Sequence, residues 1–375
     1  MKLLITTLIL TQFALAGKMP ALEKMNKDFN YSDDLDFKNM ELAIERHEKS
    51  FLSKDLNETL RFGKKTIKRQ KLYDTLLAFK ALMLETKECF KTVAKDECYK
   101  TFNEKMNRSF DAYRPMPLSW EKGYSEKKTH FTAYYSPDFE GSKTQTDVYK
   151  YPIYGIPKSA KLRSKTSDQI NFGGALKGKG LELFYVKESL YDIWLLHVQG
   201  GGRVKVKNKD GSYKKYYLSY AGSNKQKFKF LYHYMKDQGM ITNGSVPDQR
   251  AYFEAHPEDQ RRILASCPSF IFFKVTTTEP LGTENVPLTE KRSIATDYRR
   301  VHEYGILNFI RTQKPVVRGG HRQMQDFSRF FINQDTGGAI KGNARVDMYF
   351  GYGKDAERAA YGVNNLGEQY YLLLK

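Results

Sequence analysis

Residues 334–353, QDTGGAIKGNARVDMYFGYG, carry the reading on which the rest of the chain depends. The second half alternates as a strand does: Arg345, Asp347 and Tyr349 fall on one face, Val346, Met348 and Phe350 on the other. One face is apolar and built to pack. The other presents a carboxylate beside a cation and an aromatic ring, which suits a site that must hold and protonate a sugar oxygen. An aspartate on the polar face of a strand is more often merely solvated or turn-capping, so the wider sequence has to decide. Gly337, Gly338 and Gly342 mark a tight turn or bulge. They do not form a phosphate cradle, because GGAIKG lacks the required spacing and no Ser or Thr follows Lys341.

Upstream, Arg292–Asp297 (RSIATD) supplies a third acid, Asp297, which alone would read as a turn residue. Residues 275–375 read as short strands. Between Tyr151 and Lys274 the strand candidates are YPIYGIP, GLELFYV, IWLLHVQ, RVKVK and SFIFFKV, with helices over 224–239 and 248–266. This spacing favours an all-β barrel or sandwich over alternating βαβ units. IWLLHVQ is read as a strand closing at Gln199-Gly200-Gly201-Gly202-Arg203, a plain flexible turn or a place where Gln199 meets sugar hydroxyls or an N-acetyl group. His197 in that run is expected to be a core histidine. Phe131–Pro137 (FTAYYSP) reads as a strand whose Tyr134 and Tyr135 either pack at an edge or stack on sugars.

From Asp34 to Tyr113 the chain is lysine-rich and helical, with Leu72, Leu76, Phe79 and Met83 forming a core stripe. Cys89 and Cys98 flank a turn that a disulfide would staple in an oxidising compartment; the three cysteines fit neither a disulfide framework nor a zinc site. With seven scattered histidines and no HExxH, no metal and no cofactor is expected. Residues 1–16, MKLLITTLILTQFALA, have the charge, apolar run and A-x-A ending of a secretory signal, with cleavage expected after Ala16 and no lipoprotein cysteine following. The formal charge of +19 points to an anionic partner, and export argues against nucleic acid.

Several motifs then occur in a fixed order: TAYYSPxxxGS (132–142), YPIYxxP (151–157), HVQGGGRV (197–204), SYAGSN (219–224), CPSFIFFK (267–274), PLTxxRSIATD (287–297) and DTGGAIKGxxRxDMYFGYG (335–353). Together they resemble the membrane-bound lytic murein transglycosylase A (MltA) family with its C-terminal 3D, or three-aspartate, domain, over roughly residues 105–375. The resemblance implies a mainly β protein. A double-psi β-barrel would be formed from 115–145 plus 275–375, with a second β-barrel inserted at 146–274 and a helical segment at 17–114 in front. It implies cleavage of the β-1,4 bond between N-acetylmuramic acid and N-acetylglucosamine, leaving a 1,6-anhydro ring.

Carried over by motif, Asp347 matches the catalytic acid/base, with Asp335 and Asp297 as the supporting aspartates that brace turns. Thr132, Tyr134, Tyr135, Gln199, Gly200 and Lys341 would line the groove, and Arg345 is expected to reach away from Asp347. The family's usual QGSG is QGGG here and its NPS is Cys267-Pro268-Ser269, departures that touch sugar subsites more than the chemistry. The expected partner is the peptidoglycan strand, met by a monomer in the periplasm, with a cell-wall synthesis or hydrolysis complex as a further partner. The competing readings are a non-catalytic wall-binding module and a glycoside hydrolase on the same fold.

Overall fold

The computed structural model describes residues 22–279, 281–297, 303–319 and 321–375; the expected secretory signal at 1–16 lies outside them. After β1 (Leu22–Lys24) come α1 (Met40–Leu52), the hairpin β2 (Thr59–Phe62) and β3 (Lys65–Lys68), α2 (Arg69–Cys89), α3 (Lys95–Ser109) and β4 (Phe110–Pro115). The Leu72, Leu76, Phe79 and Met83 stripe of α2 is buried, and Phe79 packs 4.7 Å from the ring of Phe330, far along the chain. Cys89 and Cys98 form a disulfide across the α2–α3 turn. The strap before α1 is held by Asp33, which takes two bonds from Arg292 (2.6 and 2.9 Å), both side chains being fully buried. Removing one partner of such a pair typically costs about 3–5 kcal/mol, because the other charge is left without water or counter-ion. The helical segment therefore shares its core with the strands that follow 292.

The chain then enters both β-bodies in one pass. β5 (Thr129–Ser136) joins the first and, after Pro137, β6 (Asp138–Ser142) joins the second. The insert continues with β7 (Tyr151–Tyr154), α4 (Ala160–Arg163), α5 (Ser167–Asn171), β8 (Glu182–Val186), α6 (Leu190–Gln199), β9 (Gly201–Lys207), β10 (Tyr213–Ser223), α7 (Leu231–Asp237), α8 (Val246–Ala255), α9 (Gln260–Ala265) and β11 (Ile271–Thr276). Its strands run in the order β11-β10-β9-β6-β8-β7, and a bridge from Gly155 to Phe273 joins the two ends.

One expectation fails here: IWLLHVQ is the helix α6, not a strand. Ser189 and Asp192 bond each other's backbone N–H groups in a capping box, and Gly200, at φ 74°, closes the helix in the left-handed conformation. A short apolar run buried on most sides has no period that separates helix from strand, so the decisive signal was the cap. The helix expected over 224–239 is confined to α7. His197 is half-buried, packs against Phe270 at 4.4 Å, and burial holds its pKa down at about 3, so it is neutral.

The last section holds β12 (Ser293–Ala295), β13 (Leu307–Arg318), β14 (His321–Asp335), β15 (Arg345–Tyr352), α10 (Gly353–Ala360) and β16 (Asn364–Leu374). β13 and β14 form one long hairpin of 12 and 15 residues, longer than the short strands expected. A ring β16-β13-β14-β12-β15-β5 closes through the pairing of β16 with β5, and β12–β14 and β15–β5 are parallel. This is the expected double-psi barrel. Val346, Met348 and Phe350 fill its interior with Phe131, Ile294 and Phe331, so the alternation along β15 directs Asp347 outward.

Candidate active site

Strand register sets the site. Ala295 on β12 pairs with Asp347 on β15 and with Asp335 on β14, and Asp347 pairs with Thr132 on β5. Asp335, Ala295, Asp347 and Thr132 thus form one row across four neighbouring strands. The two carboxylates belong to strands on either side of β12, on the same wall.

The turn that delivers Asp347 is clamped from two sides. Asp297, buried at the end of β12, accepts the N–H of Gly342 (2.9 Å). Glu121, also buried, accepts the N–H groups of Leu118, Asn343 and Ala344 (2.6, 3.0 and 2.7 Å). Gly342 has φ 114° there, and a Cβ on it would lie 2.4 Å from Glu121 Oε1, so only glycine lets the acid approach. Through its bond to Gly342, Asp297 ties the end of β12 to the turn. Glu121 was not foreseen, because a lone glutamate more than 200 positions from its target carries no motif.

Asp347 is half-buried and its Oδ1 accepts the hydroxyl of Thr132 at 2.6 Å. Thr132 in turn accepts from Arg345 Nη2 at 2.8 Å, while Arg345 Nη1 donates to Val346 O (2.6 Å). The expectation that Arg345 reaches away is therefore corrected: the carbonyl of Val346 and the hydroxyl of Thr132 hold the guanidinium beside the acid. Burial pushes the Asp347 carboxyl above the usual range, opposed by the Thr132 bond and then by the Arg345 charge. Oδ2 of Asp347 accepts no bond from the described residues. One oxygen is fixed and the other is available to a ligand.

Asp335 is buffered differently. Its Oδ2 accepts the hydroxyl of Tyr134 (2.7 Å), which reaches over from β5. Burial pushes its pKa up to about 6, against the Tyr134 bond and the N–H groups of Thr336 and Thr283; the negative charge of Asp347 adds to the rise. Burial also raises the Tyr134 phenol well above its ordinary value, so it stays a donor.

The other expected lining residues divide. Thr132 and Tyr134 on β5 pair in register with Asp347 and Tyr349 on the neighbouring β15, the rings of Tyr134 and Tyr349 lying 5.2 Å apart. Tyr135 is corrected: it turns into the barrel core. Strand alternation in FTAYYS already separates it from Thr132 and Tyr134. Gln199 uses its Oε1 on the N–H of Tyr135 (3.4 Å), Gly200 caps α6, and Lys341 is exposed on the clamped turn. Among the described residues no group of three His, Cys, Asp or Glu side chains is placed to hold a metal ion.

Comparison with known proteins covers both bodies. Residues 130–274 match the MltA specific insert domain and residues 292–373 match the 3D domain. Membrane-bound lytic murein transglycosylase A of Vibrio cholerae is 33% identical over 254 residues, 65% of either chain. A homolog of that protein in Buchnera aphidicola is 27% identical over 251 residues, 64% of this chain and 65% of the relative. The alignments thus span just under two thirds of these relatives. Among solved structures, E. coli MltA with bound chitohexaose superposes with a TM-score of 0.69 at 24% identity, covering 96% of both chains. A membrane-bound lytic murein transglycosylase from Agrobacterium tumefaciens gives 0.64 at 24% identity, covering 94% of this chain and 98% of that one. At such identity the superpositions speak for the fold alone.

Proposed function

Because the chain belongs to the MltA family, with its insert and 3D domains in the family's order, we propose that it is an exported lytic transglycosylase of peptidoglycan. The substrate is the β-1,4 bond between N-acetylmuramic acid and N-acetylglucosamine. Asp347 is the single acid/base. Protonated, it gives its proton to the glycosidic oxygen as the C1–O bond breaks. Ionised, it takes the proton of the muramic C6 hydroxyl as that oxygen closes on C1. Bond for bond the step balances without water, and the product is a 1,6-anhydro sugar.

The observation that carries this reading is the asymmetry of the Asp347 carboxylate: Oδ1 tied to Thr132, Oδ2 unclaimed by the described residues. Burial raises the Asp347 pKa and so favours the acid form that the first transfer needs; general acid/base assistance of this kind is worth about 10²- to 10⁴-fold. After the first transfer Arg345, through Thr132, favours the carboxylate needed for the second. The nucleophile is intramolecular, so the chemistry needs only one acid.

A second reading has one observation in its favour. Asp335, whose pKa burial pushes up to about 6 and which is electrostatically linked to Asp347, is a second carboxyl on the same wall. An inverting hydrolase uses two such groups, about 6.5–9.5 Å apart, with one activating water. The test that separates the readings is digestion of purified sacculi by the wild type and by Asp347→Asn, with products weighed. Anhydro-muropeptides from the wild type and none from the folded variant are expected. Products one water heavier would support hydrolysis, and sacculus binding without any product would leave a wall-binding module.

A further inference from the structure

The outward row of β5 does not stop at the barrel. Past Pro137 it continues into β6, so Thr132, Tyr134 and Ser136 are followed by Asp138 and Glu140, which pair in register with Arg203 and Lys205 of β9. The join is packed: the Arg203 guanidinium lies 4.5 Å from the Tyr352 ring centre and bonds both oxygens of Asp138 (3.0 and 2.7 Å). Tyr217 of β10 stands 6.2 Å from the same ring. At about 3.3 Å per residue, the step from Thr132 to Asp138 is at most about 20 Å. A single track therefore runs from the acid onto the β9–β10 ribbon.

That ribbon is charged at a cost to the fold. Residues 203–215 hold Arg203, Lys205, Lys207, Lys209, Lys214 and Lys215 against a single acid, Asp210, whose carboxylate is occupied by the N–H and hydroxyl of Ser212. Lys205 faces Lys215 directly across the strands, a like-charge pairing that destabilises a sheet. Lys143 and Lys214 converge on one ring, that of Tyr216, at 4.9 and 5.3 Å. Asp138 neutralises Arg203 and Lys205 in part, but Lys207, Lys209 and Lys215 are exposed and have no carboxylate partner among the described residues. Beside them Tyr213 is 45% exposed and offers a flat apolar face.

We propose that this ribbon is a binding surface for the carboxylate-bearing peptide side arms of the glycan strand whose sugar sits at Asp347. The proposal rests on the reading of the groove as a peptidoglycan site and names what the strand must carry to be held. Peptide carboxylates supply the counter-charge that the ribbon lacks, and a polymer presents several of them to a row of lysines at once, as a single small anion does not. The attraction is largely solvent-exposed, so salt should screen it, with a screening length of about 10 Å at 0.1 M.

The test compares native sacculi with sacculi whose carboxyl groups have been capped with ethanolamine. Binding is measured for the full chain and for a variant carrying Lys207→Glu, Lys209→Glu and Lys215→Glu, with a matching Lys→Gln triple variant as the neutral control. The wild type should bind native sacculi at least tenfold tighter than capped ones at low salt, and the gap should close as salt rises. The Glu variant should bind native sacculi no tighter than the wild type binds capped ones, and the Gln variant should fall between. Equal wild-type binding to both preparations, or native affinity retained by the folded Glu variant, would overturn the proposal. Capped sacculi still contain the scissile bond, so the absence of anhydro products from both preparations with the wild type would count against the enzymatic reading, leaving the binding comparison to judge the ribbon.

Discussion

Asp347 and Asp335 sit on either side of β12 on one wall, and both carboxyls are pushed up by burial. Their surroundings differ in what is left over. Asp335 accepts the phenol of Tyr134 and is further favoured as a carboxylate by the nearby backbone N–H groups of Thr336 and Thr283, while Asp347 accepts the hydroxyl of Thr132 and has no backbone N–H among the described residues helping it. Burial alone thus raises a pKa without assigning a role. On the proposed reading the role goes to the carboxylate whose bonding leaves an oxygen for the substrate, and Asp335 holds Tyr134 in place.

The comparison breaks or sharpens under four changes. Asp347→Asn should lower anhydro-product release by about 10²- to 10⁴-fold with the fold intact, read by muropeptide mass spectrometry and circular dichroism. Asp335→Asn should cost only about tenfold, because a charge-assisted bond from Tyr134 becomes a neutral one worth about 1–1.5 kcal/mol less. A loss equal to that of Asp347→Asn would mean that Asp335 transfers protons too. Thr132→Val should cost about three- to tenfold, the worth of one hydrogen bond. It should also shift the alkaline limb of the pH–rate profile upward, because the lost hydroxyl favoured the ionised acid; an unmoved limb would detach Asp347 from the profile.

The smallest effect concerns stability. In the fold Asp335 titrates at about 6, above an ordinary carboxyl, so between about pH 4 and 6 the native state binds more protons than the unfolded chain. Stability from this group is therefore lost as pH rises through that window. Asp335→Asn, which cannot ionise, should melt higher than the wild type at pH 7.5, by at most about 3 kcal/mol, and should gain nothing at pH 3.5. A wild-type melt that improves from pH 4 to 7 relative to the variant would reverse the sign.

Much of this wall was legible in the chain. The alternation along ARVDMYF separated Asp347 from the barrel interior, and Asp297, named in the sequence, accepts the N–H of Gly342 in the turn. What stayed hidden is long-range. Glu121 grips residues 343 and 344, and Asp33 meets Arg292, across sequence distances that no local pattern reports. Arg345 was misdirected because its neighbour Thr132 lies on another strand, and α6 was misread because an apolar run fits either period. Tyr135 was a different kind of miss, since the alternation that separates it from Tyr134 was available in the sequence but the two tyrosines were read together.

The most direct test of a one-acid, water-free cleavage is digestion of sacculi in heavy-oxygen water by the wild type and by Asp335→Asn. The account predicts unlabelled anhydro ends from both proteins. Heavy oxygen at the newly formed muramic C1, or its loss together with turnover in Asp335→Asn, would contradict it and give the reaction to a pair of acids.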